Sequence, residues 1–253
     1  MNLLLALAII LPVLAHSQFT TSATAADNNS HYARIGDIPL PAGYTRLTAP
    51  EGSFAAWLRK IPLKKDNTVY LYNGMPKRNQ DAQFRVLDIS IGTRDLQQCA
   101  DAVMRLRAEY LYAYQRWNEI VFRDNSNKAY RYQNGKDRAA FDKYLELVFT
   151  WCGTASLQKQ LKPITRLEQI LPGDVLIKGG FPGHTVIVTD VAINSRGEKI
   201  FMVAQSFMPA QSIHLLKNPA DPGYSPWYKA VDNQQIITPQ WVFEPSQLRR
   251  WAD

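Results

Sequence analysis

The segment from Leu171 to Gln205 constrains this chain more than any other stretch. It opens on Leu171-Pro172-Gly173-Asp174, a turn by its proline, glycine and aspartate. Val175-Leu176-Ile177 follows as a short apolar run of strand type. Gly179 to Gly183 is a glycine-rich loop, His184 to Val191 is rich in β-branched residues, Asn194 to Glu198 reads as a hairpin turn, and Ile200 to Gln205 is a third strand. Strands joined by connections this short pair antiparallel, because a parallel pair needs a crossover of a dozen residues or more. An antiparallel sheet is therefore expected in the second half of the chain.

The first half reads differently. Leu96 to Trp117 carries good helix formers, with Val103, Leu106, Tyr110 and Tyr114 recurring on one side. Asp95 is the expected N-cap, with Gln98 completing a capping box. Ser53 caps a short helix through Lys60, and Phe141–Phe149 and Ala155–Leu161 are two further helices. Thr68–Tyr72 and Phe84–Ile91 have strand character. Helices before an antiparallel sheet make the class α+β.

Hydrophobic residues make up 46% and charged residues 20% of the 253, enough for a packed core. Leu3 to Ala15 has the length of a signal-peptide apolar region. We expect a signal peptide over 1–17, with cleavage as late as 25 as the alternative, a disordered leader over 18–30, and one domain over 31–253. The mature protein is then periplasmic or secreted and soluble, without integral membrane association. The formal charge of +7 favours anionic partners such as a cell-wall polymer. The basic residues are scattered and no nucleic-acid motif is present, so no nucleic-acid partner is expected.

The chemistry rests on few residues. The two cysteines, Cys99 and Cys152, admit one disulfide in an oxidising compartment. The alternative is a nucleophile: Cys99 falls in the first turn of the long helix, where free N–H groups and the macrodipole lower a thiol pKa. His184 opens a strand directly after the glycine loop, where glycines would let a substrate backbone approach. His214 is the competing histidine. Asp190, six residues past His184 on the same strand, shares its face but lies too far away to orient it. Cysteines and histidines are too few for a structural zinc site, and no metal or organic cofactor is implied.

Pro172-Gly173-Asp174-Val175-Leu176-Ile177, with Gly183-His184-Thr185-Val186-Ile187-Val188, resembles the strand–loop–strand of papain-like amidohydrolases of the CHAP and NlpC groups. Gln98-Cys99 at a helix start is similar to the glutamine–cysteine of the CHAP group. The resemblance implies a papain-like fold: the helix carrying Cys99 packs on the antiparallel sheet, with an N-terminal β extension and a helical insert over about 118–165. It implies a cysteine amidase or endopeptidase acting on peptidoglycan peptide or another envelope amide, working as a monomer. Cys99 would be the nucleophile, His184 the base and Gln205, on the strand after the histidine, the group that orients the ring. The backbone N–H of Cys99, with Gln98 or Gln97, would hold the oxyanion. The spacing of 85 residues from Cys99 to His184 is longer than usual in those groups, and glutamine stands where asparagine or a carboxylate is more common. The reading from another class is a non-catalytic envelope binding protein with Cys99 tied to Cys152; acyl transfer to or from a lipid is a third.

Nearly the whole mature chain also resembles a group of uncharacterised secreted bacterial proteins. That likeness rests on Gly52-Ser53-Phe54-Ala55, the run Asp95-Leu96-Gln97-Gln98-Cys99-Ala100-Asp101-Ala102, Arg105-Leu106-Arg107-Ala108-Glu109-Tyr110, and Gln205-Ser206-Phe207-Met208-Pro209-Ala210-Gln211. It brings no activity with it.

Overall fold

The glycine-punctuated segment forms the centre of a nine-stranded antiparallel sheet in a computed structural model that describes residues 31–252. The expected signal peptide and leader lie outside those residues. In chain order the strands are β1 Tyr44–Arg46, β2 Gln83–Val86, β3 Val121–Arg123, β4 Ala129–Arg131, β5 Leu161–Pro163, β6 Val175–Lys178, β7 His184–Asn194, β8 Lys199–Gln205, β9 His214–Leu216, β10 Tyr228–Lys229, β11 Ile236–Ile237, β12 Val242–Phe243 and β13 Leu248–Trp251. The large sheet runs β2-β9-β8-β7-β6-β13-β5, with β1 on β7 and β10 on β8; β3–β4 and β11–β12 are separate hairpins. The helices are α1 Phe54–Lys60, α2 Cys99–Ala113, α3 Arg138–Trp151 and α4 Thr154–Gln160.

Helix α2 lies on β7 and β8. Its apolar residues fill one core with Val175, Ile177, Ile187, Ala192, Met202 and Ala204. Val103, Met104 and Leu106 are fully buried, and burying side chains of this size contributes about 1.5–3 kcal/mol each. The opposite face of the sheet carries a second, smaller core, with Val186, Val188, Val191, Phe201 and Phe243.

A register shift between Val188 and Asp190 interrupts the β7–β8 ladder. The extra residue reverses the in–out alternation: before it, even-numbered residues such as Val186 face the smaller core, whereas after it Ala192 faces α2. His184 and Asp190 therefore lie on opposite faces, which corrects the expectation that they share one. Asp190 is fully buried between Arg46 Nε at 2.6 Å and Arg59 Nε at 2.7 Å.

Several element boundaries also differ from the sequence reading. Ser53 caps α1 as expected, its Oγ accepting from Ala56 N at 3.2 Å. Helix α2 starts at Cys99, not Leu96: Gln98 is the extended N-cap, and Asp101 Oδ2 accepts from Gln98 N at 3.0 Å. Asp95, the expected cap, instead accepts from Ala210 N at 2.7 Å. The helix ends at Ala113 rather than Trp117, because Gln115 takes a left-handed φ of 59°, a common way to terminate a helix. Strand character at Thr68–Tyr72 yields isolated bridges only, and β2 stops at Val86. The segment 118–165 is not purely helical: it holds the β3–β4 hairpin and ends in β5, an edge strand of the large sheet.

Candidate functional site

Two of the expected site residues sit at the end of the sheet where β7 begins and β8 finishes. His184 is the first residue of β7 and Gln205 the last of β8. Neighbouring antiparallel strands bring such ends together, and His184 Nε2 lies 2.8 Å from Gln205 Oε1. Both side chains are buried. The imidazole is packed by Phe207, Trp241 and Phe243, with ring centroids 4.9, 5.3 and 5.8 Å away.

Three residues that the sequence reading left without a role fix the protons of this pair. His214 Nδ1 lies 2.8 Å from the carbonyl oxygen of Ser212. A carbonyl only accepts, so Nδ1 carries hydrogen and Nε2 of the neutral ring is bare. The Gln205 group facing that nitrogen at 3.5 Å is Nε2, a donor. From the other side Lys77 Nζ, which can only donate, lies 2.8 Å from Gln240 Oε1. That oxygen also accepts from Gln205 Nε2 at 2.8 Å. Both constraints turn Gln205 Oε1 toward His184, so His184 Nε2 is the donor and Nδ1 keeps a free lone pair. Glutamine and lysine in loops carry no sequence pattern that announces such a relay; His214 was visible as a histidine in a strand.

Burial dominates the electrostatics. It lowers the His184 pKa to about 4 against the bond to Gln205, with Lys77 adding to the fall, and lowers that of His214 to about 3. Lys77 is itself pushed down to about 8 by burial. All three effects follow from the cost of charge in a poorly solvated site.

Cys99, at the first position of α2, is also buried. Backbone N–H groups of Ala100 and Thr185 point at its sulfur and favour the thiolate, yet burial and then Asp101 outweigh them and push the thiol up to about 11. The expectation of a lowered pKa is corrected: the helix terminus is present, but desolvation exceeds it. Thr185 directly follows His184, so the sulfur lies against the backbone at the start of β7, while the His184 ring turns to the opposite face of the sheet, toward Trp241 and Phe243. No hydrogen bond joins the Cys99 and His184 side chains among the described residues.

Cys99 borders a pocket of about 390 Å³ together with Gln98, Asp101, Cys152 and the loop Gly180–Gly183. Both cysteines are free, and burial pushes Cys152 up to about 12. Gln98 faces this pocket, its Nε2 donating to Asp95 at 3.1 Å. Gln97 does not: it lines a neighbouring pocket, and its Oε1 accepts from Arg105 at 2.6 Å. Its expected share in an oxyanion site is therefore dropped. Gly183 serves the loop rather than a substrate backbone, since a Cβ there would meet Gly180 O and Thr154 Oγ1 at 2.4 Å.

The comparison with known families gives one match, over residues 36–136 and 124–250, to a family described as Domain of unknown function (4846). The chain belongs to this family. No curated protein and no solved structure matches it. Among the described residues of this family member, no helix is long and apolar enough to cross a membrane.

Proposed function

We propose that the protein is an exported cysteine hydrolase of papain-like type, acting on an amide in the cell envelope. The observations behind this reading are a free helix-start cysteine beside the Thr185 N–H at a pocket edge and, one residue before Thr185, a histidine held by Gln205 with its Nδ1 uncommitted. The His184 ring lies on the face of the sheet away from α2, which corrects the expected convergence of the two side chains, and the reading requires the start of β7 to bring the ring round to the sulfur. In the reaction, Cys99 Sγ attacks the carbonyl carbon and its proton passes to His184 Nδ1. The C–N bond then breaks as the amine takes that proton, and water hydrolyses the thioester. The Cys99 N–H, with Gln98 at the pocket edge, is the candidate donor to the oxyanion.

The electrostatics favour a neutral thiol and a neutral imidazole at pH 7, since the two pKa values lie near 11 and 4. Proton transfer then accompanies attack rather than preceding it, and a neutral glutamine suffices to hold the ring. Hydrolysis of a panel of peptide and acyl amides is the test. Cys99→Ala and His184→Ala are expected to abolish it while leaving the fold, and Gln205→Ala to slow it less. Full activity of Cys99→Ala would end the reading.

A second reading has its own support. Two free, buried thiols with raised pKa values on one pocket fit a non-catalytic binding protein, because an elevated thiol pKa is the mark of an unreactive cysteine. Iodoacetamide labelling separates the readings. A nucleophile assisted by His184 labels faster than the same cysteine in His184→Ala, whereas a structural thiol labels equally in both.

A further inference from the structure

The walls of the Cys99 pocket do not match the charge of the chain. The protein carries +7, yet no lysine, arginine or histidine lines this pocket. Its ionisable groups other than the two thiols are carboxyls. Asp95 is exposed at the edge. Asp101 is buried, accepts from Gln98 N through Oδ2 and leaves Oδ1 without a partner; burial raises its pKa well above the usual carboxylate range.

The remaining walls are apolar. Leu96 and Phe149 contribute from the helix side, Phe181 and Pro182 from the loop before His184, and Met208 from the segment after β8. Phe181 is 97% exposed and Met208 58% exposed. A single exposed apolar side chain needs no explanation, but two at the mouth of one pocket form a patch that gains from being covered. An anion reaching past the start of α2 to the outer walls would meet the Asp95 carboxylate and no cationic side chain, whereas an alkyl chain there would remove apolar surface from water.

We infer that the group held against Cys99 is an uncharged, apolar acyl group. This rests on the hydrolase reading and narrows its substrate: the bond attacked is the one that joins such an acyl group to its amine or alcohol, and a carboxylate-rich cell-wall peptide is disfavoured at this position. Hydrophobic amino-acid residues and lipid acyl chains share the required chemistry.

The test uses three 4-nitrophenyl esters of six-carbon acids: hexanoate, the adipate monoester and 6-aminohexanoate. They share one leaving group and differ only at the far end of the chain. Cys99 Sγ forms a bond to the carbonyl carbon, the C–O bond breaks, 4-nitrophenolate leaves, and the thiol proton passes to solvent. Acylation is read by the nitrophenolate burst and by the mass of the Cys99 adduct. The hexanoyl ester is expected to acylate Cys99 at least about tenfold faster than the adipoyl ester, and faster than the 6-aminohexanoyl ester. Met208→Lys should bring the hexanoyl-to-adipoyl ratio down toward one.

An adipoyl rate equal to or above the hexanoyl rate would overturn the inference, as would a 6-aminohexanoyl rate above both or a ratio unmoved by Met208→Lys. Comparing N-acetyl-leucine and decanoate esters distinguishes a peptide source from a lipid source. If no ester acylates Cys99, the hydrolase reading fails by itself. The pocket is then judged on Cys99→Ala by NMR titration with hexanamide and adipamic acid. Tighter binding of hexanamide supports an apolar site, and equal or tighter binding of adipamic acid overturns it.

Discussion

Strand β7 carries two buried polar sites six residues apart, and they solve the same physical problem in opposite ways. At its far half, Asp190 is matched by two guanidinium groups, Arg46 from β1 and Arg59 from α1. At its start, His184 gives up its charge and enters a relay of neutral hydrogen bonds with Gln205, Gln240 and His214, with Lys77 at its outer end. The Asp190 oxygens are both engaged, whereas the His184 relay leaves one ring nitrogen uncommitted. A closed ion cluster ties the N-terminal segment to the sheet; a relay with one open nitrogen has a position left for chemistry.

Removing Asp190 should break the first site with the largest effect. Asp190→Ala leaves two partly buried guanidinium groups without their carboxylate, a loss of about 3–5 kcal/mol, which lowers Tm by roughly 10 °C in a domain of this size. Thermal unfolding reads the loss. Hydrolysis per folded molecule, on the proposed reading, should not change, because Asp190 is bonded to Arg46 and Arg59 and does not line the Cys99 pocket. A Tm within about 2 °C of the parent's would show that the cluster adds little beyond what water supplies.

Acid should weaken the second site selectively. The folded pKa values of His184 and His214, about 4 and about 3, lie below the ordinary 6.5. Between pH 6.5 and those values the unfolded chain binds protons that the folded chain does not, so stability falls as pH falls through that window. At pH 5 each histidine accounts for about 2 kcal/mol of that loss relative to pH 7. Denaturant unfolding of His214→Asn at pH 7 and pH 5 should show a pH-dependent loss smaller than the parent's by that amount. An unchanged loss would mean that His214 is charged in the folded protein.

The same contrast separates what was legible in the sequence from what was not. Pro172-Gly173-Asp174, the glycine loop and the hairpin at Asn194 mark β6, β7 and β8, because turn chemistry and β-branching are local properties. The meeting of His184 with Gln205 follows from antiparallel geometry once those strands are placed. The bulge near Thr189 has no comparable local mark, so Asp190 was put on the wrong face. The Cys99 pKa was misread for a related reason: a helix start is visible in a sequence, but the desolvation that outweighs it depends on packing by distant segments. Lys77 and Gln240 join the site from loops 163 residues apart, and no pattern in either loop points to the other.

Lys77 tests how strongly the relay's charged end affects its neutral centre. Its ammonium adds to the fall in the His184 pKa, after burial. Lys77→Met should therefore move the acid limb of the hydrolysis profile upward from about pH 4, by less than about one unit because burial remains the main cause. A downward shift would contradict the assigned sign.

The smallest expected effect concerns Gln240, which touches neither Cys99 nor His184. Its oxygen accepts from Gln205 Nε2 at 2.8 Å and so helps keep the Gln205 carbonyl turned to His184. Gln240→Ala removes one of the two acceptors that set this orientation, while His214 Nε2 at 3.5 Å remains. On the proposed reading, hydrolysis should fall by no more than about fivefold, since a single hydrogen bond of this kind is worth about 1 kcal/mol. The sharper readout is the His184 ring itself. In the parent protein, nitrogen NMR shifts should show Nε2 protonated and Nδ1 bare at pH 7. In Gln240→Ala the two tautomers should mix, as the Gln205 amide gains freedom to turn its NH2 toward Nε2. If the parent ring carries its proton on Nδ1, Gln205 faces His184 with the wrong end, the free lone pair is not where a thiol proton could be taken up, and the relay loses its role as the orienting device for His184.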